Sequence, residues 1–268
     1  MPESLIEIRH VTREFAESTA LKNVSFDVHK GEILTVVGPS GCGKSTMARL
    51  LAGLDRPTSG EILVEGDPVT GPSPDRGMVF QKYTLFPWLT VVKNVMFALT
   101  MQGQGRRTAE SEALQWVDMI GLADFAHRYP HELSGGMQQR VAIARSLAAR
   151  PKVLLMDEPF GALDAQTRIK MQRHLLEICD NIDITVVFIT HDLDEAIFLA
   201  DRVLVLKPNP GEVNAMLEVP IPRPRGPDAL TTEIFADLRS KVDEMIHQTE
   251  EEVEDLPMHL FTMKQLST

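Results

Sequence analysis

The pattern of apolar positions changes several times along the chain, and the order of these changes predicts the fold. Continuous apolar runs at Ile33–Val37, 153–157 and 185–190 are typical of strands buried on both faces of a parallel sheet. By contrast, residues 5–9 and 24–28 alternate apolar and polar side chains, which predicts strands with one exposed face. Shorter strands are predicted at residues 61–64, 77–80 and 202–206.

Between residues 91 and 149 the apolar positions recur with helical spacing. Because strands are predicted on both sides, we expect an inserted α-helical subdomain at about residues 88–150. Further helices are predicted at 166–179 and Leu193–Leu199. The alternation of strands and helices predicts an α/β fold with a mostly parallel sheet, in which ligands bind at the carboxyl ends of the strands.

The C-terminal part of the chain follows another pattern. Residues 220–227 are rich in proline and predict a stiff, extended linker. Residues 232–248 have helical periodicity, and residues 250–255 form an acidic run that is expected to be a solvated tail. We therefore expect a main domain over residues 1–219, followed by a linker and tail.

A glycine-rich loop directly follows the strand Ile33–Val37. It consists of Gly38, Pro39, Ser40, Gly41, Cys42, Gly43, Lys44, Ser45 and Thr46. The loop matches G-x-x-x-x-G-K-[ST] between a strand and a helix, whereas a plain glycine-rich turn is the alternative. Glycines let backbone amides and a helix N-terminus face an anion, Lys44 can reach the β- and γ-phosphates, and the Ser45 hydroxyl can ligate Mg²⁺.

Two carboxylates, Asp157 and Glu158, stand at the end of the apolar run that begins at residue 153. In a phosphate-loop protein we expect this strand to lie beside the strand of the loop. Asp157 can then hold Mg²⁺ through a water molecule, and Glu158 can polarise the attacking water as general base. A solvated pair of side chains at a strand end is the alternative.

A second potential anion site lies at residues 133–140, LSGGMQQR. Ser134 is a favourable N-cap, and Gly135 and Gly136 leave the first amides of the following helix bare. An ordinary capped helix is the alternative. The octet resembles the signature motif of ATP-binding cassette (ABC) ATPases, although Met137 stands where many members have glutamine.

The resemblance to the ABC family implies roles for four further side chains. Gln81 is similar to the glutamine that contacts Mg²⁺ and senses the membrane partner. Asp164, in the motif Ala162-Leu163-Asp164, resembles the D-loop aspartate. His191 matches the switch histidine at the γ-phosphate. Phe15 matches the aromatic residue that stacks on adenine, with a packed strand-end phenylalanine as the alternative.

The resemblance covers about residues 5–217 and also implies an architecture. It implies a RecA-like phosphate-loop core, an N-terminal antiparallel β subdomain and two copies of the chain arranged head to tail. Each ATP would contact Lys44, Ser45 and Asp157 of one subunit and Ser134 and Gly136 of the other. The partners would be integral-membrane permease subunits and an extracytoplasmic solute-binding protein.

Residues 85–95 and 223–225 resemble the branch that imports nitrate, sulfonates and taurine. The alternatives are an ABC export or lipid-trafficking complex and a soluble ABC ATPase acting on nucleic acid. The formal net charge of −11 argues against the nucleic-acid alternative.

Composition indicates the compartment. The chain has two cysteines, which cannot form a disulfide framework, and no apolar run of the ~18 residues that a membrane span requires. The first residues lack the pattern of a signal peptide. We therefore expect a cytoplasmic protein that is peripheral on the inner face of the cell membrane.

The helix N-terminus beside Cys42 is expected to lower the pKa of its thiol, and alkylation of Cys42 would then block ATP binding. The alternative is that Cys42 is a passive small residue. Cys179 is expected to be packed in the core.

Overall fold

The computed structural model describes residues 3–81, 84–161, 163–182 and 184–254, with side chains described as far as residue 248. The strands are β1 (Ser4–Phe15), β2 (Ser18–His29), β3 (Ile33–Val37), β4 (Ser59–Val64), β5 (Asp67–Pro68), β6 (Arg76–Val79), β7 (Val153–Asp157), β8 (Thr185–Ile189), β9 (Arg202–Lys207) and β10 (Glu212–Glu218). The α-helices are α1 (Lys44–Leu51), α2 (Val91–Met101), α3 (Arg106–Met119), α4 (Gly135–Ala148), α5 (Ala165–Asn181), α6 (Leu193–Leu199) and α7 (Glu233–Glu254).

The smaller sheet is antiparallel, in the order β2-β1-β4-β5. Its strands bury one face, as their alternating pattern predicts: Ile6, Ile8 and Val11 of β1 are buried, and Arg9 and His10 are exposed. β1 and β2 are longer than their sequence patterns indicate, because both strands run past the alternating segments to a tight turn at residues 16–17.

The larger sheet has the order β10-β9-β3-β8-β7-β6, with β9, β3, β8, β7 and β6 parallel and β10 antiparallel at the edge. All residues of β3 and β8 are buried, as their continuous apolar runs predict. The prediction that β7 lies beside β3 is wrong. β8 lies between them, since β3 pairs with β8 on one side and β9 on the other.

Three helices form the insertion between β6 and β7. α2 packs against α3 and α4, and the buried side chains Val91, Val95 and Leu99 of α2 face this contact together with Val117 of α3. α4 also packs against β6, at the edge of the larger sheet. The predicted helical region is thus confirmed as three α-helices joined by short turns and two 3₁₀ helices.

The segment after β9 differs most from expectation. β10 was not predicted, because its side chains are nearly all half-buried and show no strong alternation. The prediction of an extended linker at 220–227 is wrong: Ile221 and Arg225 are buried, so this segment is part of the packed structure. α7 begins one residue after the predicted start at residue 232, and it packs against α6 and β9.

Among the residues that the structure describes, no helix combines the length and apolar character needed to cross a membrane.

Candidate functional site

The glycine-rich loop connects the carboxyl end of β3 to the N-terminus of α1. Gly38 and Gly43 have φ values of +153° and +91°, a region that side chains disfavour. A Cβ atom at Gly38 would lie 2.6 Å from the Leu206 carbonyl oxygen, and one at Gly43 would lie 2.6 Å from Leu21 Cδ2. The loop therefore has to be built from glycine at both positions. Its remaining members lie between these positions and along the first turn of α1: Pro39, Ser40, Gly41, Cys42, Lys44, Ser45 and Thr46.

The ammonium group of Lys44 lies inside this loop. Its Nζ donates to the carbonyl oxygens of Gly38 and Pro39, at 2.7 and 2.9 Å, and the side chain is buried. A buried ammonium needs such partners because desolvation without them is costly. These neutral carbonyls are weaker partners than phosphate oxygens, so Lys44 is placed to exchange them for an anionic ligand.

Cys42 does not have the properties expected from the sequence. Its side chain is fully buried in the apolar cluster around the smaller sheet and α1. Burial raises the pKa of the thiol, and the nearby Lys44, 3.7 Å from Sγ, only partly opposes this effect. The predicted lowering of the pKa is therefore wrong, because desolvation of the buried thiol outweighs the favourable charge of Lys44 at the start of α1. Cys179 is half-buried, and desolvation raises its pKa to about 12.

Asp157, at the end of β7, lies next to Ser45 of α1, although β7 is not adjacent to β3, the strand that precedes the loop. Ser45 Oγ donates to Asp157 Oδ1 at 3.2 Å, because α1 packs across β7 and β8. Burial raises the pKa of Asp157; repulsion by Glu158 adds to this, and the Ser45 hydrogen bond opposes it. A cation beside this carboxylate would stabilise its charged form and so offset the cost of desolvation.

Glu158 is contacted by two of the side chains that the family resemblance singled out. Gln81 Nε2 donates to Glu158 Oε2 at 2.9 Å, and His191 Nδ1 lies 3.4 Å from the same oxygen. The backbone of Glu158 has φ +46°, and its N–H donates to the Ile189 carbonyl. Backbone strain of this kind persists where surrounding contacts fix it, and it is concentrated at functional sites. The ends of β6, β7 and β8 thus bring Gln81, Glu158 and His191 together.

A buried polar network supports the segment that carries His191. Asp192 caps α6 by accepting from the Glu195 N–H, and Glu195 accepts from Thr190 Oγ1 and Gln172 Nε2. Burial raises the pKa of Glu195. Neither Glu195 nor Gln172 was predicted from the sequence. The available signal for Glu195 was its position three residues after the N-cap Asp192, where a glutamate often completes a capping box.

The signature segment begins α4 as expected. Ser134 Oγ accepts a hydrogen bond from the Met137 N–H at 3.4 Å, and Gly135 is the first helical residue. A Cβ atom at Gly136 would lie 3.2 Å from Leu163 and 3.3 Å from Thr167, so this glycine packs closely against the start of α5.

The D-loop aspartate, Asp164, also caps a helix. Asp164 Oδ1 accepts from the Thr167 N–H at 3.0 Å, and hydrogen bonds from Thr167 lower the pKa of this exposed carboxylate. Ala162, of the same motif, lies outside the described residues. Through the contact of Gly136 with Leu163 and Thr167, the start of α4 therefore packs against the segment that contains Asp164.

Phe15 ends β1 with its ring 46% exposed, which argues against the packed alternative. The Arg13 guanidinium lies 4.6 Å from the ring centroid and covers part of one face. An adenine ring could stack on the exposed area.

The oxygen groups of Ser45, Asp157 and Gln81 suit Mg²⁺, which binds oxygen ligands and is usually held by one or two carboxylates together with substrate phosphates. The structural observation that favours a cation here is that the half-buried Asp157 carboxylate and the Ser45 hydroxyl lie together, 3.2 Å apart, at the end of the phosphate loop.

The two glycine-rich segments lie at different strands of the larger sheet. The loop of 38–46 follows β3, whereas α4, which begins at the signature segment, packs against β6. Each chain therefore carries one copy of each potential anion site.

Comparison with known proteins gives consistent results. The chain matches the ABC transporter family over residues 21–161. It is 52% identical over 221 residues to a nitrate import ATP-binding protein of Synechocystis sp., covering 81% of this chain and 83% of that protein. It is 43% identical over 241 residues to an aliphatic sulfonates import ATP-binding protein of Bacillus cereus, covering 88% and 94%.

Among solved structures, the chain is similar to an ATP-binding cassette determined as a dimer in a post-hydrolysis state with ADP and Pi. The TM-score is 0.72 at 34% identity, over 82% of this chain and 99% of that one. Together with the sequence identities, this likeness establishes that the chain belongs to the ABC transporter family and is an ATP-binding, ATP-hydrolysing cassette.

Proposed function

We propose that the chain is the ATPase subunit of an importer for nitrate, sulfonates, taurine or a related small solute. It would act on a separate membrane permease from the inner face of the cell membrane. The solute class is supported by the relatives from Synechocystis sp. and Bacillus cereus, which are named for nitrate and aliphatic sulfonate import. Both names specify import, so the export, lipid-trafficking and nucleic-acid alternatives are not favoured.

The observation that carries the proposal is the position of Gln81. Its amide contacts Glu158 at the site of hydrolysis, and an exposed aromatic cluster follows it closely in the chain. Phe86 lies 5.5 Å from Trp88 and 4.7 Å from Phe97, between ring centroids, and Trp88 is 70% exposed. Exposed apolar patches of this kind mark protein contacts. We assign this cluster to a cytoplasmic helix of the permease.

In the proposed reaction, Lys44 leaves the Gly38 and Pro39 carbonyls and binds the β- and γ-phosphates. Glu158 accepts a proton from the attacking water, and His191 contacts the γ-phosphate from the end of β8. Ser45, Asp157 and Gln81 would hold Mg²⁺, which neutralises phosphate charge when it is bound.

The second half of the nucleotide site comes from another copy of the chain. Ser134 and Gly136 of one subunit would cover the γ-phosphate bound by the 38–46 loop of its partner, because the bare amides at the start of α4 suit an anion and the solved relative with ADP and Pi is a dimer. A head-to-tail pair related by a two-fold axis forms two such sites. Closing and opening of the pair would then move the permease.

Solute uptake tests this function directly. Cells lacking the gene should lose uptake of one solute among labelled nitrate, alkane sulfonates and taurine. Wild-type protein should restore uptake, and Glu158→Gln, produced at equal level, should not. Unchanged uptake of every solute in the deletion strain would contradict the importer assignment, while leaving the ATPase assignment intact.

A further inference from the structure

Arg225 is buried, and among the described residues its guanidinium forms no ion pair with a carboxylate, which is unusual for an arginine. All of its hydrogen bonds that the structure shows go to backbone carbonyls. Nε and one terminal nitrogen donate to Ile221 at 3.0 and 2.8 Å, which fixes the turn of its own segment. The other terminal nitrogen donates to Ile197, Phe198 and Ala200, at 3.4, 3.0 and 2.7 Å.

These three carbonyls form the C-terminal end of α6. The last carbonyls of a helix have no partner within the helix, and a positive charge there is favourable. Burial lowers the pKa of Arg225 to about 10, so the guanidinium remains charged at neutral pH. Residues 196–200 are buried, which keeps water from replacing these bonds.

The other end of α6 holds His191. The N-terminus of α6 is fixed to α5 by Gln172–Glu195 and by the ion pair of Arg168 with Asp192, 3.2 Å apart. On the opposite side, Arg239 of α7 pairs with Asp194 at 2.7 Å. α6 has only seven residues and is about 10 Å long, so a shift at its C-terminus is transmitted to the histidine segment.

We propose that Arg225, in the packed segment at 220–227, is a positioning residue that sets the location of His191 through α6. The segment at 220–227 thereby adjusts the hydrolytic site without touching nucleotide. The inference rests on the proposed role of His191 at the γ-phosphate.

Arg223 provides a matched control. It lies two residues away on the same segment, and its guanidinium pairs with Asp201 and Asp180 at 2.6 and 3.4 Å. Arg223→Met should loosen the same segment while leaving the carbonyls of α6 capped. Arg225→Lys keeps the charge but lacks the donor geometry for three carbonyls and the Ile221 contact.

The test compares Arg225→Lys, Arg225→Met and Arg223→Met in the full chain. The readouts are ATPase kinetics and the imidazole resonances of His191, assigned with His191→Ala. We expect both Arg225 variants to shift the His191 resonance and to lower kcat by about tenfold or more, with KM for ATP nearly unchanged. Arg223→Met should leave the resonance and kcat unchanged, even if it lowers the unfolding temperature.

An unshifted His191 resonance in folded Arg225→Lys would overturn the proposal, as would equal effects of the Arg223 and Arg225 variants. Failure of both Arg225 variants to fold would also overturn it in favour of a purely structural role. Normal turnover of His191→Ala would instead remove the proposed role of His191, and the resonance shift would still report whether Arg225 positions that side chain.

Discussion

Gln81 and Glu158 are joined by a hydrogen bond of 2.9 Å from the amide Nε2 to the carboxylate Oε2. The same carboxylate oxygen lies 3.4 Å from His191 Nδ1. Because Gln81 lies two residues after β6, between this strand and the helical insertion, its bond to Glu158 links the surface assigned to the permease with the group assigned as general base. Movement of the insertion would release or restrain Glu158.

Glu158→Gln should retain ATP binding and lose turnover. The amide keeps the size and one acceptor oxygen of the carboxylate but cannot take a proton from water, so kcat should fall by about a thousandfold. Nucleotide affinity and phosphate release measure the two properties separately. Wild-type phosphate release would remove Glu158 as the base.

Lys44→Ala should raise the Kd for ATP by tenfold or more. A tenfold change corresponds to a loss of about 1.4 kcal/mol of binding free energy. The reason is that the ammonium, now held by the Gly38 and Pro39 carbonyls, is the cation placed to meet the phosphates. Arg49→Ala, an exposed position on the same helix, serves as the control and should bind normally. Equal affinity of both variants for ATP would contradict the assigned role of the loop.

The two cysteines should be unreactive in the folded protein near neutral pH. Burial raises the pKa of both thiols, to about 12 for Cys179, so the thiolate fraction is small and Cys42 is also inaccessible. A chromogenic disulfide reagent should detect almost no thiol in the native protein and two per chain after denaturation. Rapid labelling of native Cys42 would show that the loop opens.

The buried Glu195 should make stability depend on pH. Its pKa is raised in the folded state, so its contribution is fully present below the ordinary pKa of glutamic acid and is lost as pH rises through the raised value. The free energy of unfolding of the wild type relative to Glu195→Gln should therefore decrease as the pH rises above the ordinary pKa of glutamic acid and through the raised pKa of Glu195. Denaturant unfolding at several pH values measures it; a constant difference would show that Glu195 is not perturbed.

The sequence predicted the parts of the site that depend on local chemistry. The phosphate loop, the Ser134 cap and the carboxylates after β7 each require a short run of residue types next to a strand or helix, and such runs are visible in one dimension. The contact between Ser45 and Asp157 could be expected only by analogy with other phosphate-loop proteins.

The errors concern contacts between distant segments. The position of β8 between β3 and β7 depends on strand pairing, which the apolar pattern of a single strand does not encode. The prediction for Cys42 rested on the helix N-terminus beside it, but burial of the thiol by distant segments dominates its pKa. The proline-rich pattern at 220–227 likewise gave no sign that Arg225 caps α6.

The central claim is that each ATP site is shared by two copies of the chain. Light scattering of Glu158→Gln with and without ATP tests it most directly, with Glu158→Gln/Ser134→Arg as the matched control. We expect ATP to convert Glu158→Gln from monomer to dimer, and the double variant to bind ATP but remain monomeric because the signature segment is blocked. A monomeric Glu158→Gln at saturating ATP, or a double variant that dimerises equally well, would contradict the shared site.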